Sequence, residues 1–209
     1  MRILILANGS EPSYPLLKKV IEKCGYFIAA DGGGNIALRY GLSPDTVVGD
    51  MDSFQQEPGF EGRILHDPDQ ETNDLEKALK HAMTKKAGRV DVLGATGKRL
   101  DHSLKNLSVM QQFHNHFDSL AFIDDTLYSR ILPRDFSMEL PPGHLVSLFP
   151  LSGKVEGVIT EGLKFPLNNE LLQNGLRDGT SNQATHGTIR IRHRTGTLLF
   201  MSALAECFL

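Results

Sequence analysis

The sequence predicts an α/β N-terminal domain built on a mostly parallel sheet, followed by a smaller all-β C-terminal domain. Two observations carry this. Up to about residue 125, short apolar runs alternate with amphipathic stretches, the texture of repeated β–α units. Beyond about residue 130 the chain turns to short apolar pieces broken by proline and glycine, as in "FSMELPPGHLVSLFPLSGKVEGVITEGLKFPL" and "GTIRIRHRTGTLLFMSAL".

In chain order, "RILILAN" (2–8), "YFIAAD" (26–31), "TVVGD" (46–50), "RVDVLGAT" (89–96) and "SLAFIDD" (119–125) read as strands, most of them ending in polar residues or glycine. Within "NDLEKALKHAMTKK", Leu75, Ala78, Leu79, Ala82 and Met83 recur at helical spacing, and Asn73 with Glu76 three residues on has the pattern of a capping box. A second helix is expected from about Asp101 to His116, with Leu104, Leu107, Met110 and Phe113 inward. In the C-terminal part "ELLQNG" has room for only a brief helix, and the remainder reads as a sandwich or a barrel-like sheet. The boundary falls within 126–136, dividing the chain into domains 1–130 and 131–209.

A chain of 209 residues with 40% hydrophobic composition can bury real cores. Its 22 Lys and Arg against 25 Asp and Glu leave a formal charge of −3, which offers no overall attraction to nucleic acid or an anionic membrane. The run "RIRHRT" aligns Arg190, Arg192 and Arg194 on one strand face without an interleaved aromatic series, so a solvated face is expected and not a nucleic-acid surface. Cys24 and Cys207 belong to no CxxC pair and are expected to be buried free thiols. The start "MRILILANGS" lacks a cleavage pattern and reads as a first strand, and no uncharged apolar run is long enough to span a bilayer. The expected location is cytoplasmic.

Four polar clusters stand out, three of them following candidate strands, where open α/β sheets place their ligands. "ADGGGN" sets Asp31 beside Gly32, Gly33 and Gly34 and fits a structural turn or a ligand loop equally. It is neither a Walker A loop nor a GxGxxG fingerprint. "GDMDS" carries Asp50 and Asp52; in an extended backbone both side chains point the same way, with Met51 turned into packing. The pair reads as a polar turn or as hard oxygen ligands for magnesium, which would relieve its repulsion. In "DPDQETNDLEKAL", Asp74 suits a helix first turn or a nearby metal. In "GATGKRLDHSLKN", glycines shape a bend while Lys98 and Arg99 offer donors to anionic oxygens. Asp101 there fits a helix cap, a metal ligand or an orienter of Arg99, and His102 a substrate contact or a surface position.

Taken in order, "ADGGGN", "GDMDS", "DQETND", "GATGKRLDH", "GLKFPL" and "TSN" resemble the thiamine pyrophosphokinase family over most of the chain. The resemblance implies an α/β ATP-binding catalytic domain, a β-sandwich thiamine-binding domain, and a homodimer with thiamine sites between subunits. It implies ATP as co-substrate, Mg2+, and transfer of the terminal pyrophosphate of ATP to the hydroxyethyl oxygen of thiamine, giving thiamine diphosphate and AMP. By position, Asp50, Asp52 and Asp74 match metal ligands, with Asp52, Asp74, Arg99 and Asp101 catalytic. Asp31, Gly32, Gly33, Asn35, Gln70, Arg99 and His102 match the ATP side, and Phe165, Ser181 and Asn182 the thiamine side. Phe165 reads as a stacking aromatic or as a buried sandwich residue. Three departures stand out: Asn73 where the family commonly has Thr, Glu71 where it often has Asp, and "GKR" for its usual "GGR". A pterin pyrophosphokinase and a non-catalytic nucleotide- or thiamine-binding regulatory module are the competing readings.

Overall fold

The computed structural model describes residues 1–185 and 187–209, which form two compact units: Met1–Asp125 with Glu206–Leu209, and Thr126–Ala205. The first unit contains β1 (Arg2–Leu6), α1 (Tyr14–Ile21), β2 (Tyr26–Ala30), α2 (Gly33–Arg39), β3 (Thr46–Gly49) and β4 (Arg63–His66). It continues through α3 (Asp74–Thr84), β5 (Arg89–Leu93), α4 (Leu100–Phe113) and β6 (Ser119–Ile123). Its strands lie in the order β6-β5-β1-β2-β3-β4, all parallel. The apolar runs become strands because both faces are covered: Ile3, Leu4, Ile5 and Leu6 of β1 are fully buried. Chain order reverses at β1, which lies between β2 and β5, so the crevice beyond the carboxyl ends of β1 and β5 is the natural ligand position.

At the other end of these strands, fully buried Asp91 accepts from Arg2 Nε at 2.6 Å and Arg89 Nε at 3.1 Å. The same guanidiniums donate to the carbonyls of Leu209 (2.6 Å) and Phe208 (2.5 Å). That shared clamp is why Glu206–Leu209 folds with the first unit.

The second unit is all antiparallel. Its strands are β7 (Leu127–Ile131), β8 (Asp135–Glu139), β9 (Leu145–Pro150), β10 (Lys154–Glu161), β11 (Asn168–Gln173), β12 (Gly179–Gln183), β13 (Thr188–Arg192) and β14 (Leu198–Ala203). Neighbours run β12-β9-β14-β7 in one layer and β11-β10-β13-β8 in the other. The rings of Phe136 and Phe200, one from each layer, meet at 5.5 Å, and Val146, Leu148, Val155, Ile189 and Ile191 fill the core. The N-terminal parallel sheet and the smaller all-β sandwich are thus the architecture expected from sequence.

Several details differ from expectation. "ELLQNG" is no helix: β11 takes its first four residues and ends at Gln173, with Leu172 buried and paired to Val155, and a turn follows. Six residues are too few to nucleate a helix, and β10 offers them a strand partner. On α4, Leu104 is 56% exposed and Leu107 half-buried, while Asn106, Val109, Met110 and Phe113 form the buried stripe. A run at i+3 drifts by about 60° per step around a helix, so an expected face of 104, 107, 110 and 113 cannot stay inward. Asn73 does cap α3, accepting from Glu76 N at 3.0 Å, but the Glu76 carboxylate pairs with Lys80 and Lys105, so the reciprocal half of the box is missing. Met83, at the end of the stripe, is 37% exposed. Arg190, Arg192 and Arg194 sit beside Asp135, Glu161 and Glu156, which neutralise the basic row. No helix among the described residues is long and apolar enough to cross a membrane.

The thiols are not both buried: Cys207 is exposed and Cys24 half-buried. Burial, then the Asp91 carboxylate, pushes the Cys24 thiol up to about 11. At pH 8 about one Cys24 in a thousand is thiolate, so a thiol reagent should label Cys207 in the fast phase. That phase should vanish in Cys207→Ser; its loss in Cys24→Ser instead would refute the assignment.

Candidate active site

A cavity of about 440 Å³ opens at the switch point, lined by Ala7, Asn8 and Gly9 after β1 and by Ala95, Gly97 and Lys98 after β5. The two loops interlock through Gly9 N to Gly94 O (2.8 Å) and Ser10 N to Thr96 O (2.7 Å). Glycine is required at 97, where φ is +85° and a Cβ would stand 1.8 Å from Ser10 Oγ. Lys98 Nζ donates to Asn8 O at 3.1 Å and Asn8 Oδ1 at 3.3 Å. In the cavity wall, Asn73 Nδ2 donates to Asn106 Oδ1 (2.8 Å) and Asn106 Nδ2 to Ala95 O (2.6 Å), tying the α3 cap to the glycine loop.

Three carboxylates converge here. One oxygen each from Asp31, after β2, Asp50, after β3, and Asp74, the first residue of α3, lie within 4.8 Å of one another. Gly49 makes room for them: a Cβ there would sit 2.7 Å from Asp31 Cβ and 3.0 Å from Asp74 Oδ1. Asp31 is 2% exposed, has φ +41°, and accepts from Phe54 N (3.0 Å) and Ser53 N (3.2 Å). Burial raises its pKa against those bonds, and burial, then Asp31 and Asp50, raises that of Asp74. Gln70 Nε2, donating at 3.0 Å, lowers that of Asp50. Lys77, 3% exposed, donates to Asp67 O at 2.8 Å and stands 3.7 Å from Asp74 Oδ1, a cation inside the acid cluster.

Asp50 and Asp52 do not form one extended segment. Met51 has φ +62° and is half-buried, so β3 stops at Gly49 and the chain turns between the two acids. Asp52 lines the cavity beside the trio, accepts from Ser53 Oγ at 2.8 Å, and donates its own N–H to Asp50 Oδ1 at 3.2 Å. Arg99 and His102 also line the cavity. Arg99 is the residue preceding α4, and Asp101 falls inside the first turn, so Asp101 is not the cap. Instead Asp101 receives a two-point contact from Arg99, at 3.1 and 2.5 Å, which holds its pKa down to about 2.

The early glycines serve packing: a Cβ on Gly32 would meet Asn8 Nδ2 at 2.3 Å, and one on Gly33 the Leu6 carbonyl oxygen at 2.0 Å. Asn35 clasps the acidic loop, donating to Ser53 O (2.8 Å) and accepting from Gln55 N (2.9 Å). In the second unit Phe165 is 60% exposed, which excludes the buried-sandwich reading. Ser181 is exposed at φ +59°, while Asn182 is buried. Sequence reasoning missed Asn8, Lys77 and Asn106. Lys77 had one legible cue, its position three residues after Asp74 in a helix, on the same face.

The chain is similar to known proteins along most of its length. Residues 17–121 match the family model "Thiamin pyrophosphokinase, catalytic domain" and residues 132–198 match "Thiamin pyrophosphokinase, vitamin B1 binding domain". Thiamine pyrophosphokinase 1 of Oryza sativa subsp. japonica is 27% identical over 207 residues, covering 91% of this chain and 75% of its own. Thiamine pyrophosphokinase of Bacillus subtilis is 24% identical over 207 residues, covering 95% and 97%. The crystal structure of the Bacillus subtilis protein shares the fold with a TM-score of 0.85 at 23% identity, over 97% of this chain and 99% of that one. With both family models matched in order across most of its length, the chain belongs to the thiamin pyrophosphokinase family.

Proposed function

We propose that this protein transfers the terminal pyrophosphate of ATP to the hydroxyethyl oxygen of thiamine, yielding thiamine diphosphate and AMP. The observation that carries the reading is the acid trio beside a cavity that also presents Lys98 and Arg99. Pyrophosphoryl transfer is largely a matter of aligning the acceptor and neutralising phosphate oxygens, and these residue types supply both. The donor set fits magnesium: hard carboxylate oxygens from Asp31, Asp50 and Asp74, with Asp52 adjacent. When bound, magnesium supplies counter-charge to phosphate oxygens.

The chain's own groups have separate tasks in this reading. Arg99 donates to phosphate, and Asp101 holds its guanidinium toward the cavity until substrate arrives. Gln70 orients Asp50. Asp52 and Asp74 are positioned to act on the acceptor hydroxyl or to bind the cation, and His102 adds a nearby polar contact. Gly32, Gly33 and Asn35 support the ATP side by fixing the loop that carries Asp31 and Ser53. Residues 1–130 then bind ATP and residues 131–209 bind thiamine, with Phe165, Ser181 and Asn182 on the acceptor side. Assembly as a homodimer with thiamine sites between subunits, and a cytoplasmic location, belong to the same proposal.

The deciding experiment supplies ATP, magnesium and thiamine and separates the products. AMP with thiamine diphosphate is the expected outcome. ADP with thiamine monophosphate would reject pyrophosphoryl transfer, turnover of a pterin alcohol alone would reassign the acceptor, and ligand binding without turnover would indicate a regulatory module.

A further inference from the structure

Phe165 is an apolar ring left 60% exposed on a backbone that is anything but loose. Its N–H donates to Asn182 Oδ1 at 3.0 Å and its carbonyl accepts from Asn182 Nδ2 at 2.7 Å. Asn182 Oδ1 also accepts from Gln183 N at 2.9 Å, so three of the amide's four hydrogen-bonding positions are spent, and the side chain is buried at 7% exposure. The flanks are fixed as well. Lys164 N donates to Gln183 O (2.9 Å), Leu167 N to Thr160 Oγ1 (2.8 Å), and Pro166 restricts Phe165 to extended backbone. On β12 the register slips between Gly179 and Asn182, and Ser181 takes φ +59°, with its N–H on Ser147 Oγ at 3.0 Å. The ring face already attracts a cation, since Lys164 Nζ stands 5.5 Å from its centroid.

We infer that Asn182 is a positioning residue acting through Phe165: it presents the ring, pre-ordered, to a flat cationic heteroaromatic acceptor and does not itself touch that acceptor. The inference rests on the proposed function, in which Phe165 lies on the acceptor side, and takes its exposed ring as the face that stacks on thiamine. Its physical basis is that a backbone ordered before binding spares the ligand that ordering cost, which lowers the acceptor KM. Lys164 occupies the place a thiazolium or pyrimidinium would take and gives way to it.

The test measures thiamine KM and ATP KM for Phe165→Ala, Asn182→Ala, Asn182→Asp and the Phe165→Ala/Asn182→Ala double variant. Phe165→Ala should raise the thiamine KM about tenfold, in line with the loss of one stacking ring. Asn182→Ala should raise it severalfold, and the double variant should match Phe165→Ala alone, because the amide has nothing left to position. Asn182→Asp retains the acceptor and loses the donor to Phe165 O, so it should also raise the thiamine KM and serves if the alanine variant does not fold. An aspartate touching a cationic ligand would lower that KM, and this result would overturn the inference. Multiplying penalties in the double variant would overturn it as well. An unchanged thiamine KM in Phe165→Ala would remove the stacking role together with the inference built on it.

Discussion

Replacing Asp74 by asparagine should lower the rate of thiamine diphosphate formation by about a hundred- to a thousandfold while leaving the metal-free protein at least as stable as the parent. The two effects have one cause. Burial, then Asp31 and Asp50, raises the Asp74 pKa, so folding disfavours its charged form. For a carboxylate raised in the folded state, stability is lost as pH climbs from the ordinary carboxylate value through the folded one, and it is regained on acidification. Near neutral pH the penalty is in force, and an isosteric neutral side chain removes it. Lys77 keeps its bond to Asp67 O in the variant, so the helix start stays anchored. Thermal melts with and without magnesium check the pairing: the magnesium-induced rise should shrink in Asp74→Asn. A variant that turns over within tenfold of the parent, or that melts well below it without metal, would rule the account out.

Gly33→Ala should cost about 3 kcal/mol of stability, an effect of backbone collision and not of glycine's flexibility. The new Cβ would lie 2.0 Å from the Leu6 carbonyl oxygen and 2.8 Å from its carbon. Leu6 cannot yield, because β1 is paired on both sides, to β2 and β5. Displacing α2 would carry Asp31 with it, so activity should fall along with stability. Gly41→Ala is the matched control: φ is +68° but nothing lies within 4 Å, which limits its cost to about 1 kcal/mol of backbone strain. Urea unfolding midpoints separate the two, and equal midpoints would discard the collision argument.

Both predictions concern features of unequal legibility in the sequence. The strands of the first unit were readable because "RILIL" and "TVVG" are buried on both faces and so are apolar throughout. The acids stood out because they end such runs. That Asp31 and not Asp52 completes the trio was hidden, since it depends on left-handed backbone at Asp31 and at Met51, and methionine rarely adopts it. The elements α1, α2 and β4 went unrecognised for different reasons. α2 opens on two glycines, poor helix formers held by packing on β1, and β4 is a four-residue strand with half-exposed residues and no clear alternation. α1 did carry a cue, Ser13 followed by proline in the first turn, which Leu16 N confirms by donating to Ser13 Oγ. In the sandwich, Phe165 could be placed only by its exposure, because a lone phenylalanine in a β-rich segment is as often core as surface.

The amide relay from Asn73 through Asn106 to Ala95 has a consequence for how relatives diverge. Position 73 does two jobs at once, capping α3 with its oxygen and feeding Asn106 with its nitrogen. A threonine there retains a capping oxygen but has a shorter reach and a single donor. Lineages carrying threonine should therefore have been free to drift at the position of Asn106, whereas those carrying asparagine should have kept an amide or another acceptor there. One side chain couples the two positions, so a substitution at 73 is expected to change which side chains are tolerated at 106.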